Sequence, residues 1–263
     1  MADKEVDLRP ILPNAVTMTA LAFGVSSINM AFWGRWQMAV LFILLAAVFD
    51  FLDGKVARIF GVSSRFGAEL DSLSDFVSFG VAPGFLMYQW TMDNAMRIEA
   101  LRDIAEKPNA IGIYWGFVLF TAMCCATRLA RFNARLDEKT PPYWTHFFMG
   151  VPAPAGAFLS LFPLILWFAS EQSISWFRSS AVVGFFLIFS GVMMASRIPT
   201  LCLKHIHIQG KYATALMILA LLTIASSFAF PWQVCAGLGL IYITTIPVGV
   251  YYFLKWKKGY VKK

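Results

Sequence analysis

Between Asp50 and Asp75 the stretch DFLDGKVARIFGVSSRFGAELDSLSD places four aspartates, Asp50, Asp53, Asp71 and Asp75, inside a strongly apolar sequence. At about 100° per residue, Asp50, Asp53, Gly54, Ala57 and Arg58 project from one face of a helix, and Gly67, Asp71, Ser74, Asp75 and Ser78 project from one face of a second. Four carboxylates converging without a nearby cysteine or histidine form an all-oxygen site. Such a site suits Mg²⁺ or Mn²⁺, is compatible with Ca²⁺, and disfavours zinc or copper. Two such ions would also hold a diphosphate, because carboxylate-bound divalent cations keep positions open for phosphate oxygens. Gly54, Ala57 and Gly67 leave room for a bulky phosphorylated group, and Arg58 offers it a planar, bidentate donor.

An aspartate at the centre of a membrane helix costs roughly 2.5–3.5 kcal/mol, so four uncompensated ones approach the stability of a whole fold. Metal ions would compensate them. The plain alternative is a network of ion pairs with Lys55, Arg58 and Arg65 at the helix ends. It accounts for any one acid, and less well for four on two matched faces flanked by small residues.

The elements that position these faces are membrane helices. Of 263 residues, 59% are hydrophobic and 14% charged, far from the roughly 25% charged residues of a soluble domain. Apolar runs near 14–33, 38–60, 73–91, 111–134, 149–170, 180–196, 212–230 and 232–255 predict an all-α polytopic membrane protein of about eight spans. Span two is expected to stop at Gly61, with a short turn and a new helix starting close to Gly67, so that the two carboxylate faces meet in an antiparallel hairpin.

Assigning alternate connections to opposite sides puts 17 of the 22 basic residues on one side. By the positive-inside rule that side is cytoplasmic, with both termini and the 61–67 turn. The net charge of +7 then reflects orientation and contact with anionic membrane lipids, and nucleic acid is excluded as a partner. The first ten residues lack the features of a signal peptide and are expected to be retained in the cytoplasm. Cys124, Cys125, Cys202 and Cys235 suit neither a disulfide framework nor a zinc spacing and read as packing residues. His146, His205 and His207 lie in polar or basic connections and suggest no metal site.

The array Asp50-x-x-Asp53-Gly54-x-x-Ala57-Arg58, eight residues, then Gly67-x-x-x-Asp71-x-x-x-Asp75 resembles the complete signature of the CDP-alcohol phosphatidyltransferase family. Within that family ELDSLSDFVSFGVAP (69–83), RLARFN (128–133), LPNAVT (12–17) and GVPAPAGA (150–157) resemble the bacterial and archaeal phosphatidylserine synthases. The resemblance implies a six-helix catalytic core over residues 1–200, with two additional helices and a basic tail over 201–263. It implies transfer of a phosphatidyl group from CDP-diacylglycerol to the hydroxyl of L-serine, with release of CMP. It further implies two divalent ions on Asp50, Asp53, Asp71 and Asp75, with Asp71 and Asp75 catalytic and Asp75 the general base. Gly54, Ala57, Arg58 and Gly67 would bind CDP, helped by Asn14 and Thr17.

Serine recognition needs a donor for the amino-acid carboxylate, and Arg128, Arg131 and Asn133 at the end of span four are the candidates; basic residues there also serve orientation. The resemblance implies a homodimer in the bacterial inner membrane, with its site on the cytoplasmic side. Two alternatives stay open. A relative using glycerol phosphate or inositol phosphate would share the signature, and an ion-coupled transporter would also carry intramembrane carboxylates.

Overall fold

A computed structural model describes residues 11–61, 64–97, 108–134, 147–201 and 213–261. The helices, in chain order, are α1 (Ile11–Phe32), α2 (Trp36–Ile59), α3 (Arg65–Asp75), α4 (Ala82–Arg97), α5 (Pro108–Asn133), α6 (Ala153–Ser160), α7 (Phe162–Ala169), α8 (Ser180–Ala195), α9 (Ala213–Ala229) and α10 (Pro231–Val261). Ile11–Phe32, Ile111–Asn133 and Pro231–Lys257 are long and apolar enough to cross a membrane unaided, and Ser180–Ala195 and Ala213–Ala229 are shorter apolar helices. The chain is an all-α polytopic membrane protein.

Two expected spans are built differently from a single regular helix. The third begins at Arg65 and continues through a π-helical stretch, Phe76–Val81, into α4; there the Ala82 N–H donates to Val77 O, five residues back. The fifth is divided into α6 and α7 at Leu161. Pro163, which has no N–H to donate to Leu159 O, accounts for that break. A feature outside the helical expectation is a small antiparallel pair, β1 (Phe147–Met149) with β2 (Pro199–Leu201), in the register Phe148↔Thr200. Phe147 anchors the pair on α10 through edge-on contacts with Phe253 and Trp256.

Packing favours small residues where helices cross. The buried stripe of α1 is Pro13, Thr17, Ala20, Gly24, Ser27 and Ala31, a recurrence that lets two backbones approach closely. At Gly24 a Cβ would overlap Ser78 Oγ and crowd the Ser78 backbone, so no larger residue fits. Ser27 donates to Ala39 O across the α1–α2 hairpin at 2.8 Å, and Thr121 ties α5 to Leu187 O of α8 at 3.0 Å. The core centres on Ile43, Phe79, Leu86, Trp90, Leu161 and Leu187. By contrast α9 has no buried residue while being almost wholly apolar, so the bilayer is its solvent.

At the end of the bundle that holds the α1–α2 turn, Arg178 donates to Asp93 Oδ2 at 2.9 Å and to Trp90 O at 3.1 Å, and stands over the Trp90 and Trp167 rings. Cys124, Cys125 and Cys235 are free thiols. Cys202, the three histidines and residues 98–107 lie outside the described residues.

Candidate active site

Two helix ends build the site. Helix α2 carries Asp50 and Asp53 on its final turns, and Gly61, at φ +63°, leaves the helix in the left-handed conformation that suits glycine. Helix α3 then starts on a cap: the Gly67 N–H donates to Ser64 Oγ at 2.9 Å. This fixed start places Asp71 opposite α2. Ligand atoms of Asp50, Asp53 and Asp71 all lie within 4.8 Å of one another.

Asp75 stands one turn deeper. Its side chain is within hydrogen-bonding reach of Asp50, and both acids feel the Arg128 guanidinium from α5. Asp53 and Asp75 are 7% and 9% exposed. Thr17 Oγ1 donates to Asp53 Oδ2 at 2.6 Å, and Ser74 donates to Thr17 O at 3.3 Å, which binds α1 to both carboxylate helices. Asp75 Oδ1 is buried without a hydrogen-bond partner among the described residues.

The ion-pair alternative does not hold: among the described residues, none of the four aspartates is salt-bridged to Lys55, Arg58 or Arg65. Lys55 lies over the Phe51 ring instead, and Arg58 Nε donates back to Gly54 O at 2.8 Å. One arginine against four converging carboxylates leaves a large negative excess in a weakly screened setting. An all-oxygen donor set, an unpartnered buried carboxylate oxygen and that excess together fit divalent cations.

Beside the carboxylates lies a cavity of about 190 Å³ lined by Asn14, Thr17, Asp53, Gly54, Ala57, Ser64, Gly67 and Asp71, with Pro13 and Ala68. A Cβ at Gly54 would meet nothing within 4 Å, and one at Gly67 would come within 3.1 Å of Asn14 Oδ1. The glycines thus face space in one case and permit a close approach in the other. A larger cavity, about 530 Å³, surrounds Arg35 and Arg178 at the opposite end of the α1–α2 hairpin. It touches none of the four acids, so the smaller cavity is the one with chemistry beside it.

The structure therefore brings together Asp50, Asp53, Asp71, Asp75, Asn14, Thr17, Gly54, Ala57 and Gly67. Arg58 is exposed and is not among the lining residues. Of the three expected acceptor contacts, Arg128 faces Asp75 and Asp50, whereas Arg131 donates to Ala195 O at 2.7 Å and Asn133 to Ser72 Oγ at 2.9 Å. Sequence reasoning missed Ser64, although a serine three residues before a helix-opening amide is a recognisable cap. It also missed Thr17 as a partner of Asp53, for which no local signal exists because the two are 36 residues apart.

Residues 10–195 match the sequence profile of the CDP-alcohol phosphatidyltransferases. The chain belongs to the CDP-alcohol phosphatidyltransferase family. Among its relatives in that family, the CDP-diacylglycerol–serine O-phosphatidyltransferase of Mycobacterium tuberculosis (strain ATCC 25618 / H37Rv) is 32% identical over 243 residues, covering 91% of this chain and 78% of the relative. The enzyme of the same name from Helicobacter pylori (strain J99 / ATCC 700824) is 31% identical over 237 residues, covering 88% and 89%. That of Methanocaldococcus jannaschii is 44% identical over 117 residues, covering 44% and 45%. The profile takes in α1 to α8, and so every carboxylate of the site; α9 and α10 lie beyond it.

Proposed function

We propose that this chain transfers the phosphatidyl group of CDP-diacylglycerol to the hydroxyl of L-serine, forming phosphatidylserine and releasing CMP. The bond between phosphorus and the CMP oxygen breaks, the bond to the serine oxygen forms, and the serine proton goes to the protein. The observation that carries the reading is the meeting of Asp50, Asp53 and Asp71 beside a cavity floored by Gly54 and Gly67. The names of the relatives favour serine over glycerol phosphate or inositol phosphate.

In this reading Asp50, Asp53, Asp71 and Asp75 hold two divalent ions, Mg²⁺ or Mn²⁺ in preference to Ca²⁺. Such ions neutralise a diphosphate and stabilise charge on the leaving phosphate. Thr17 orients Asp53. Gly54, Ala57, Gly67, Asn14 and Thr17 line the CDP pocket, with Arg58 at its outer rim. Asp75 accepts the proton of the attacking hydroxyl, a role supported by its burial, its unpartnered Oδ1 and its place beside Asp71. Arg128 receives the serine carboxylate, while Arg131 and Asn133 hold the end of α5 against α8 and α3.

Seventeen of the 22 basic residues on the site's side of the membrane support a cytoplasmic active site and cytoplasmic termini in a bacterial inner membrane. The family resemblance supports a homodimer. The end of the family profile near the end of α8 supports a catalytic core over 1–200 with an appended 201–263 segment.

The test is purified protein in detergent, supplied with CDP-diacylglycerol, a panel of alcohols, and either Mn²⁺ or EDTA. CMP release requiring both serine and metal is expected. Release driven equally by glycerol phosphate, or undiminished by EDTA, would overturn the acceptor or the metal assignment respectively.

A further inference from the structure

We propose that Tyr242 of α10, a helix beyond the family profile, completes the acceptor pocket by donating a hydrogen bond to the carboxylate that Arg128 receives. The inference rests on the serine reading above and deepens it.

Three buried polar atoms have no hydrogen-bond partner among the described residues and belong to one electrostatic neighbourhood: Asp75 Oδ1, Arg128 Nε and the Tyr242 hydroxyl. Arg128 links them through charge, since Asp75, Asp50 and Tyr242 all lie within its electrostatic range. A buried polar group without a partner costs about 1–3 kcal/mol, so three around one arginine call for a common partner. Their chemistry specifies it. Asp75 Oδ1 is an acceptor, matching a hydroxyl or ammonium hydrogen. The guanidinium is a donor alone, and a phenol beside a cation is best used as a donor as well, so the far side of the pocket matches an anion. An alcohol bearing a carboxylate satisfies all three at once.

The placement of Tyr242 is built in. Tyr242 packs against the buried cluster formed by Val151 and Leu159 of the β1–α6 segment and Ile246 of its own helix. Pro247 lies inside α10 and removes the donor that Ile243 O would otherwise receive. Just before it, Thr245 Oγ1 donates to Tyr242 O at 2.6 Å and Thr244 Oγ1 to Ile241 O at 2.7 Å. The Tyr242 carbonyl is thus held by a side chain of its own helix just ahead of the proline.

The test compares wild type with Tyr242→Phe, which keeps the ring and its packing, and with Tyr251→Phe, an exposed tyrosine on the same helix. Measured quantities are kcat, KM for serine, KM for CDP-diacylglycerol, and the serine-induced rise in melting temperature in detergent. Expected for Tyr242→Phe is a serine KM about tenfold higher, with kcat lowered less than threefold, an unchanged KM for CDP-diacylglycerol, and a smaller serine-induced thermal shift. Tyr251→Phe should match wild type in all four. An unchanged serine KM and thermal shift in Tyr242→Phe would overturn the inference, as would a defect confined to CDP-diacylglycerol. Failure of wild type itself to make phosphatidylserine would instead overturn the function reading, so the two failures are separable.

Discussion

Thr17 Oγ1 lies 2.6 Å from Asp53 Oδ2, and the same hydroxyl is 3.1 Å from Pro13 O, so a single side chain of α1 orients a carboxylate of α2 from the wall of the cavity beside the acids. A carboxylate that binds metal is commonly held by such a partner, and its loss typically costs about 10- to 100-fold in metal affinity or activity. Thr17→Val, nearly isosteric, is expected to raise the Mn²⁺ concentration for half-maximal CMP release by about that factor, and Thr17→Ser to restore it. Titrating metal against activity in the two variants checks this.

Gly54 separates stability from function. Because an added methyl meets nothing within 4 Å, Gly54→Ala should fold as well as wild type, with a gain of about 0.5–1 kcal/mol from the helix backbone. In the proposed reading the methyl would occupy space that the nucleotide takes, at a cost of about 1–3 kcal/mol. A melting temperature equal to or above wild type together with a KM for CDP-diacylglycerol raised about tenfold or more is the expected pair.

Asp75→Asn keeps the shape of the site and removes the proposed proton acceptor. Loss of a positioned base typically lowers rate by about 10²- to 10⁴-fold, so kcat should fall in that range. Near-normal phosphatidylserine formation by this variant would exclude Asp75 as the base.

Arg178 should matter for stability and little for chemistry. It combines an ion pair with Asp93, a bond to Trp90 O and two aromatic faces at the end of the bundle away from the acids. Arg178→Ala removes the ion pair, the bond to Trp90 O and both aromatic contacts together, a loss of about 2–3 kcal/mol after allowance for solvent at Asp93. Thermal unfolding in detergent should move down by roughly 5–10 °C, while kcat measured well below the transition stays within about twofold of wild type.

The carboxylate grid was legible in the sequence because helical periodicity alone puts Asp50 with Asp53 and Asp71 with Asp75, and a short turn at Gly61 brings the pairs together. The all-α membrane architecture was legible because the bilayer demands long apolar runs. What escaped the sequence is long-range or geometric. The bond from Arg131 to Ala195 spans 64 residues, so nothing near Arg131 distinguishes an anchor from a ligand contact, and Arg128 and Arg131 look equivalent. Ser74 and Ser78 share the acids' side of the third span, yet they reach backbone oxygens of Thr17 and Ala20 on α1. The β1–β2 pair consists of three residues per strand and leaves no periodic trace.

The π-helical stretch from Phe76 to Val81 sets the angle between two surfaces of one continuous rod: the acids at Asp71 and Asp75 on one side of it, Leu86 and Trp90 in the core on the other. Removing one residue from the α-helical turn that follows it, between Val81 and Leu86, would turn the two halves against each other by about 100°. With Trp90 seated in the core, the half that swings is the one carrying the carboxylates. Substitutions along this rod alter what the site touches, whereas a change in its length alters where the site points. Descendants of this chain are thus free to respell the segment and bound to keep its residue count.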